Sequence, residues 1–150
     1  MPDINGKTLL VGLLATPIRH SNSPRMQSEA FAMTGVNCVQ LAFEVGNEQL
    51  EDAVKGLRAL GAVGFNVSMP NKRMVTQYLD ELSTAAALSG SVNTVVNDNG
   101  RLIGHNTDGY GFWESLRRNN IEFVSKKATL VGPGGVGAAA RHTGPDGHVF

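Results

Sequence analysis

Lys72 is the only cation in the run Gly64-Phe65-Asn66-Val67-Ser68-Met69-Pro70-Asn71-Lys72. A lysine withdrawn from water at the end of a strand can exchange a proton near neutral pH, whereas a solvated lysine at a helix start stays charged there; the stretch alone leaves both readings open. Asp108, in Gly104-His105-Asn106-Thr107-Asp108-Gly109, is the acid that can pair with it. Facing Lys72, its carboxylate would orient the amine and hold its charge. Taken alone, it needs no role beyond the cap or first turn of a helix. His20-Ser21-Asn22-Ser23-Pro24 sets the Ser21 and Ser23 hydroxyls two residues apart where a strand gives way to a helix. Hydroxyls beside free helix N–H groups suit a carboxylate or a phosphate. The plain alternative is that Ser23 caps the helix and Ser21 is solvated. Ser68 stands with Asn66 and Asn71 among the polar groups near Lys72, and Asn93 lies in Ser91-Val92-Asn93-Thr94-Val95-Val96. An amide inside such a strand must find partners, in the backbone or in a ligand.

Near the carboxyl end, Gly132-Pro133-Gly134-Gly135-Val136-Gly137 follows the strand-like Lys127–Val131 and should open a helix, the context that a dinucleotide-binding loop requires. Its continuation departs from that pattern. Gly144, Pro145 and Gly147 leave no room for a full crossover helix and a further strand before Phe150. The acidic residue expected about 20 positions on, to read the ribose, has no place to be. His105 reads as a surface or internally satisfied histidine, and no His/Cys/Asp/Glu spacing matches a metal site. Cys38 is the single cysteine, inside the apolar run 38–43, and reads as a buried structural thiol in a reducing compartment.

The elements that must position these residues follow from hydrophobic patterning. Thr8–Leu14 is a near-continuous apolar run, as in a strand buried on both faces of a parallel sheet. A helix through Met26, Ala30, Phe31 and Met33 follows, with Ser23 as N-cap, Pro24 at its first position and Gly35 as its stop. Next come a strand over Cys38–Val45 and a helix capped by Asn47, with Leu50, Val54, Leu57 and Leu60 on one face and Gly61 at its end. A third strand over Ala62–Val67 leads to Pro70, which suits the first turn of a helix over Asn71–Leu79. A further helix over Glu81–Leu88 is expected, capped by Asp80. Asn99-Gly100 between two apolar runs predicts a hairpin, and a helix should run from about Tyr110 to Arg118. This predicts an α/β fold: a three-layer, open, mostly parallel sheet with one antiparallel hairpin and helices on both faces. Open sheets of this kind bind ligands at the carboxyl ends of their strands, where the polar residues gather.

The 150 residues, 41% hydrophobic and 17% charged, suffice for a real core and argue against disorder. Thirteen basic and thirteen acidic residues cancel, so charge offers no case for nucleic acid or an anionic membrane surface as a partner. Leu9–Ala15 is too short to span a bilayer and lacks a basic leader, so a cytoplasmic protein is expected.

Five motifs together resemble the shikimate/quinate dehydrogenase family: Pro17–Pro24, Gly64–Lys72, Val92-Asn93-Thr94, Gly104–Gly109 and Gly132–Gly137, in the family's order across about residues 8–139. The Ser-Met-Pro-Asn-Lys version at 68–72 is similar to the dual quinate/shikimate subgroup. The resemblance implies a substrate-binding α/β domain over residues 1–108, a connecting helix and linker over 109–126, and the start of a Rossmann-type nucleotide-binding domain over 127–150. It implies NAD- or NADP-dependent oxidation of a ring hydroxyl of shikimate or quinate, and leaves a homodimer open. Ser21 and Ser23 would hold the substrate carboxylate, while Ser68, Lys72, Asn93 and Asp108 would bind ring hydroxyls. Lys72 and Asp108 would be the catalytic pair, and Gly132, Pro133, Gly134, Gly135, Val136 and Gly137 would touch the cofactor pyrophosphate. The tail from about Arg141 matches nothing in the family and reads as a truncation or an altered frame. Pro133 stands where the family usually has Ala, and removes one backbone N–H. On this reading the 150 residues bind substrate without turning it over, and a scaffold or oligomerisation role is the third alternative.

Overall fold

The computed structural model describes residues 4–122, 129, 131 and 134–142. Its elements in chain order are β1 (Leu9–Ala15), α1 (Ser23–Met33), β2 (Cys38–Glu44), α2 (Leu50–Ala59), β3 (Gly64–Val67), a 3₁₀ helix (Met74–Tyr78), β4 (Glu81–Leu82), α3 (Thr84–Ser89), β5 (Thr94–Asp98), β6 (Arg101–His105), α4 (Asp108–Arg118) and α5 (Gly135–His142). The six strands form one sheet in the order β2-β1-β3-β5-β6-β4. All neighbours pair in parallel except β5, which runs antiparallel to β3 and β6. The expected fold class and its hairpin are therefore present. At the hairpin tip Asn99 and Gly100 both adopt positive φ, 51° and 95°, as a two-residue turn of this type requires.

Adjacent side chains on a strand face opposite ways, and β1 shows it. Leu14 joins the main core with Val54 and Leu57 of α2 and Phe65 of β3, whereas Leu13, Ala15 and Ile18 make a smaller cluster of their own. Gly64 is where β3 meets β5, since a Cβ there would lie 2.5 Å from the Val95 carbonyl oxygen. A side chain would push the two backbones apart. At the far edge of the sheet, Trp113 of α4 donates its indole N–H to the Ala140 carbonyl of α5 at 3.0 Å.

Several expected boundaries are corrected. Helix α1 begins at Ser23 with Asn22 at the cap position, so Ser23 is a first-turn residue and caps nothing. Gln49, not Asn47, precedes α2, and Leu60 lies beyond its end, exposed. Pro70 sits in a turn after β3 instead of opening a helix, and Asn71–Leu79 holds only the 3₁₀ helix. The expected helix over Glu81–Leu88 starts as a strand, because Glu81 and Leu82 pair with Ile103 and Gly104 of β6. Asp80 cannot cap it, since its carboxylate accepts from Arg58 at 2.8 Å and from the Leu102 N–H at 2.7 Å. Ser83 caps α3 instead, accepting from the Ala86 N–H at 3.3 Å. The expected strand over Lys127–Val131 lies largely outside the described residues, as do Gly132 and Pro133.

Candidate active site

Strand β3 ends at Val67, and the turn after it is held to the end of β1 by two bonds. The Ser68 N–H donates to the Leu14 carbonyl at 3.0 Å, and the Thr16 N–H donates to the Met69 carbonyl at 3.1 Å. Asn71 closes the turn, its N–H donating to the Ser68 carbonyl at 2.9 Å. Its side chain is fully buried and donates to the Val45 carbonyl at 2.8 Å, which ties the turn to the end of β2. The Lys72 carbonyl accepts from the Val92 N–H at 2.8 Å. The backbone around Lys72 is thus fixed by three different strand ends before its side chain is considered.

Asp108 is fixed in a different way. Asn106 is buried, with its amide nitrogen donating to the Ser91 hydroxyl at 2.8 Å and the Ser91 carbonyl at 3.0 Å. Its Oδ1 accepts from the Asp108 N–H at 3.0 Å, satisfying one of the open donors at the start of α4. Asp108 is consequently free to use its carboxylate elsewhere. Lys72 Nζ donates to Asp108 Oδ2 at 2.8 Å, and the two side chains retain only 21% and 20% of their exposure. Asn93 Nδ2 donates to Asp108 Oδ1 at 2.9 Å and to the Thr107 hydroxyl at 2.8 Å. Its Oδ1 accepts from the Thr107 N–H at 3.1 Å and the Thr94 hydroxyl at 3.0 Å. Both carboxylate oxygens of Asp108 therefore carry a donor, while among the described residues only Asp108 accepts from the Lys72 ammonium. That ammonium keeps donors for a ligand.

A cavity of about 420 Å³ opens beside this network, between the ends of β1 and β3 and the start of α1. Ser21, Ser23 and Ser68 all line it, with His20 and Asn22. The Ser21 hydroxyl accepts from the Ser23 N–H at 3.3 Å, so Ser21 organises the helix start that Ser23 was expected to cap. Lys72, Asn93 and Asp108 do not line this cavity; they form the neighbouring cluster, joined to it through the Ser68–Lys72 turn. Six predicted residues thus fall into two adjoining groups. Hydroxyls on one side suit an oxyanion, and an ammonium with a carboxylate on the other suits a hydroxyl whose proton is to move. Of the glycine loop, Gly134 is exposed, and a Cβ there would meet nothing within 4 Å. Helix α5 follows it directly, with the Ala138 N–H donating to the Gly134 carbonyl at 2.8 Å.

The sequence reading passed over Asn106, Thr107 and Gln40. Gln40 is 2% exposed, and its Nε2 donates to Asn66 Oδ1 at 2.8 Å. A single uncharged polar residue inside an apolar run is the available signal, because a buried amide must be bonded to something. The signal flags the residue without naming its partner, which lies 26 residues away.

Sheet and site define an open α/β ligand-binding domain with a lysine–aspartate pair at the carboxyl ends of its strands. Residues 13–95 match the family model of the shikimate dehydrogenase substrate binding domain. The chain belongs to the shikimate dehydrogenase family. It is 54% identical over 136 residues to the shikimate dehydrogenase (NADP(+)) of Listeria monocytogenes serotype 4b (strain F2365), covering 91% of this chain and 47% of that relative. Among solved structures, a Listeria monocytogenes shikimate 5-dehydrogenase in complex with shikimate and NAD aligns with a TM-score of 0.83 at 50% identity, covering 91% of this chain and 48% of the other. A shikimate dehydrogenase in complex with NADP+ aligns with a TM-score of 0.89 at 41% identity, covering 93% and 48%. The chain spans about half the length of the curated relatives it matches.

Proposed function

We propose that this chain is the substrate-binding part of an NADP-dependent shikimate dehydrogenase, and that shikimate is bound between the serine cavity and the Lys72–Asp108 pair. The observation that carries the reading is that pair, at 2.8 Å and four-fifths withdrawn from water, one turn away from three hydroxyls lining a single cavity. Ser21 and Ser23 hold the carboxylate. Ser68, Lys72, Asn93 and Asp108 take the ring hydroxyls. Asn93 has both amide hydrogens and both lone pairs engaged within the protein, so a substrate hydroxyl enters there by displacing the exposed Thr107 hydroxyl. After the ammonium has released one proton to solvent, the neutral Lys72 Nζ accepts the proton of the hydroxyl being oxidised, and Asp108 Oδ2 holds the amine in line and balances the charge that returns to it.

The nicotinamide cofactor, when bound, supplies the hydride acceptor. The open space at Gly134 and the helix start after it fit one end of a pyrophosphate, and Gly132–Gly137 would contribute backbone N–H groups apart from Pro133. Residues 1–108 make the substrate unit, and those from about 127 begin the nucleotide unit. The chain acts on a small molecule in the cytoplasm, a reading in keeping with its formal net charge of zero; among the described residues no helix is long and apolar enough to cross a membrane. Calorimetric titration tests the reading: shikimate should bind these 150 residues more tightly than quinate, and no heat from either at millimolar ligand would sink it. A second reading, binding without turnover by this length of chain, is favoured by the chain's spanning half of its relatives. It predicts no change in nicotinamide absorbance when shikimate and NADP+ are added to the purified chain.

A further inference from the structure

Thr94 lies in the Val92-Asn93-Thr94 motif, yet the proposed function gives it no part of its own. Its side chain occupies one place in a line of hydrogen bonds that all point the same way. Gln40 Nε2 donates to Asn66 Oδ1 at 2.8 Å, and Asn66 Nδ2 donates to the Thr94 hydroxyl at 3.2 Å. The Thr94 hydroxyl then donates to Asn93 Oδ1 at 3.0 Å, and Asn93 Nδ2 donates to Asp108 Oδ1 at 2.9 Å. A hydroxyl has one hydrogen. With Asn66 supplying a donor, the Thr94 hydrogen must go to Asn93. Asn93 must then turn its oxygen toward Thr94 and its nitrogen toward the carboxylate. The Asn66 amide is itself fixed, its nitrogen also reaching the Asn93 carbonyl at 3.3 Å and its oxygen taken by the nearly fully buried Gln40.

We infer that Thr94 is a positioning residue, whose hydroxyl, together with the Thr107 N–H, holds the orientation of the Asn93 amide and through it the placement of the Lys72–Asp108 pair. The inference rests on the proposed role of that pair for its functional consequence, but not for its structural one. Chains of hydrogen bonds polarise one another, so reversing one link reverses or breaks those that follow. Valine at position 94 preserves the shape and leaves Asn93 Oδ1 with the Thr107 N–H alone. The oxygen then has one donor instead of two, and the amide holds its nitrogen on Asp108 less firmly.

The test uses the 150-residue chain as wild type, Thr94→Val and Thr94→Ser. In nuclear magnetic resonance spectra the Asn93 side-chain amide protons should shift when Asp108→Asn is introduced into the wild type, because Asn93 Nδ2 donates to that carboxylate. In a Thr94→Val background that response should shrink, and in Thr94→Ser it should return to its full size. A merely structural threonine would not produce this pattern. Shikimate affinity should fall roughly fivefold in Thr94→Val and recover in Thr94→Ser, the factor expected for about one net hydrogen bond. If Thr94→Val does not fold, Thr94→Ala takes its place. An unchanged Asn93 response in a folded Thr94→Val or Thr94→Ala chain overturns the inference. A wild type that shows the response but binds no shikimate overturns the proposed function and leaves the positioning role standing.

Discussion

Replacing Lys72 by methionine keeps the unbranched stem and removes the ammonium that donates to Asp108. At 2.8 Å the gross attraction of the pair is about 6 kcal/mol for an effective dielectric constant near 20. Most of that is offset by the several kcal/mol that each ion loses on leaving water. Hydrogen bonds to charged groups net about 1.5–3 kcal/mol, and the remaining fifth of exposure favours the lower half of that range. The full penalty of about 3–5 kcal/mol for orphaning a wholly buried ion does not apply, because water can reach Asp108 and Asn93 still donates to it. Urea unfolding of wild type, Lys72→Met, Asp108→Asn and the double variant forms a cycle that isolates the pairwise term, and we expect a coupling of about 1.5–2 kcal/mol. In parallel, calorimetry should show shikimate affinity in Lys72→Met reduced by about 10- to 100-fold, since a donor to a ring hydroxyl is lost in a partly desolvated site. A coupling below about 0.5 kcal/mol would refute the claim that the pair is worth more than an exposed ion pair. Wild-type affinity in a folded Lys72→Met chain would refute the claim that this is where substrate binds.

Two further substitutions and one titration check the fold. Gly64→Ala should cost about 1–3 kcal/mol in urea unfolding, because its Cβ would stand 2.5 Å from a backbone oxygen of the paired strand. Gly56→Ala, in mid-helix with nothing within 4 Å, should gain about 0.5–1 kcal/mol; equal effects of the two would contradict the register of β3 on β5. In α4, hydrogen bonds from Arg117 and Arg118 hold the Glu114 carboxyl at about 2, against an ordinary 4.5. A carboxyl lowered in the folded state contributes stability above the unfolded value and loses it as pH falls through the folded one, so any contribution of Glu114 should fade between about pH 4.5 and 2. A carboxyl carbon titration with its midpoint near 4.5 would show that the two arginines do not hold it.

Where a local rule applied, the sequence was legible. Asn99-Gly100 specified its own turn, because few other pairs accept positive φ at both positions. The spacing of Leu50, Val54 and Leu57 marked the buried face of α2, and all three are in the core. Glu81–Leu82 misled, since helical composition there was overridden by pairing with β6. Asp80 misled for a related reason: an acid before a helix looks like a cap until Arg58, 22 residues away, claims it.

For the site, the amino-acid sequence by itself singled out Lys72, Asp108, Asn93 and the three serines as candidates. Their types and positions left a plain structural reading open at each, and the resemblance of the five motifs to the family is what gave them roles. Tertiary structure alone decided that Lys72 meets Asp108 across 36 residues, that Asn106 rather than Asp108 serves the start of α4, and that Gln40, Asn66 and Thr94 stand in line behind Asn93. Hydrogen bonds between buried side chains are formed by whichever strands the sheet order brings together. That order places β2, β3 and β5 within reach of one another, although their residues are far apart in the chain.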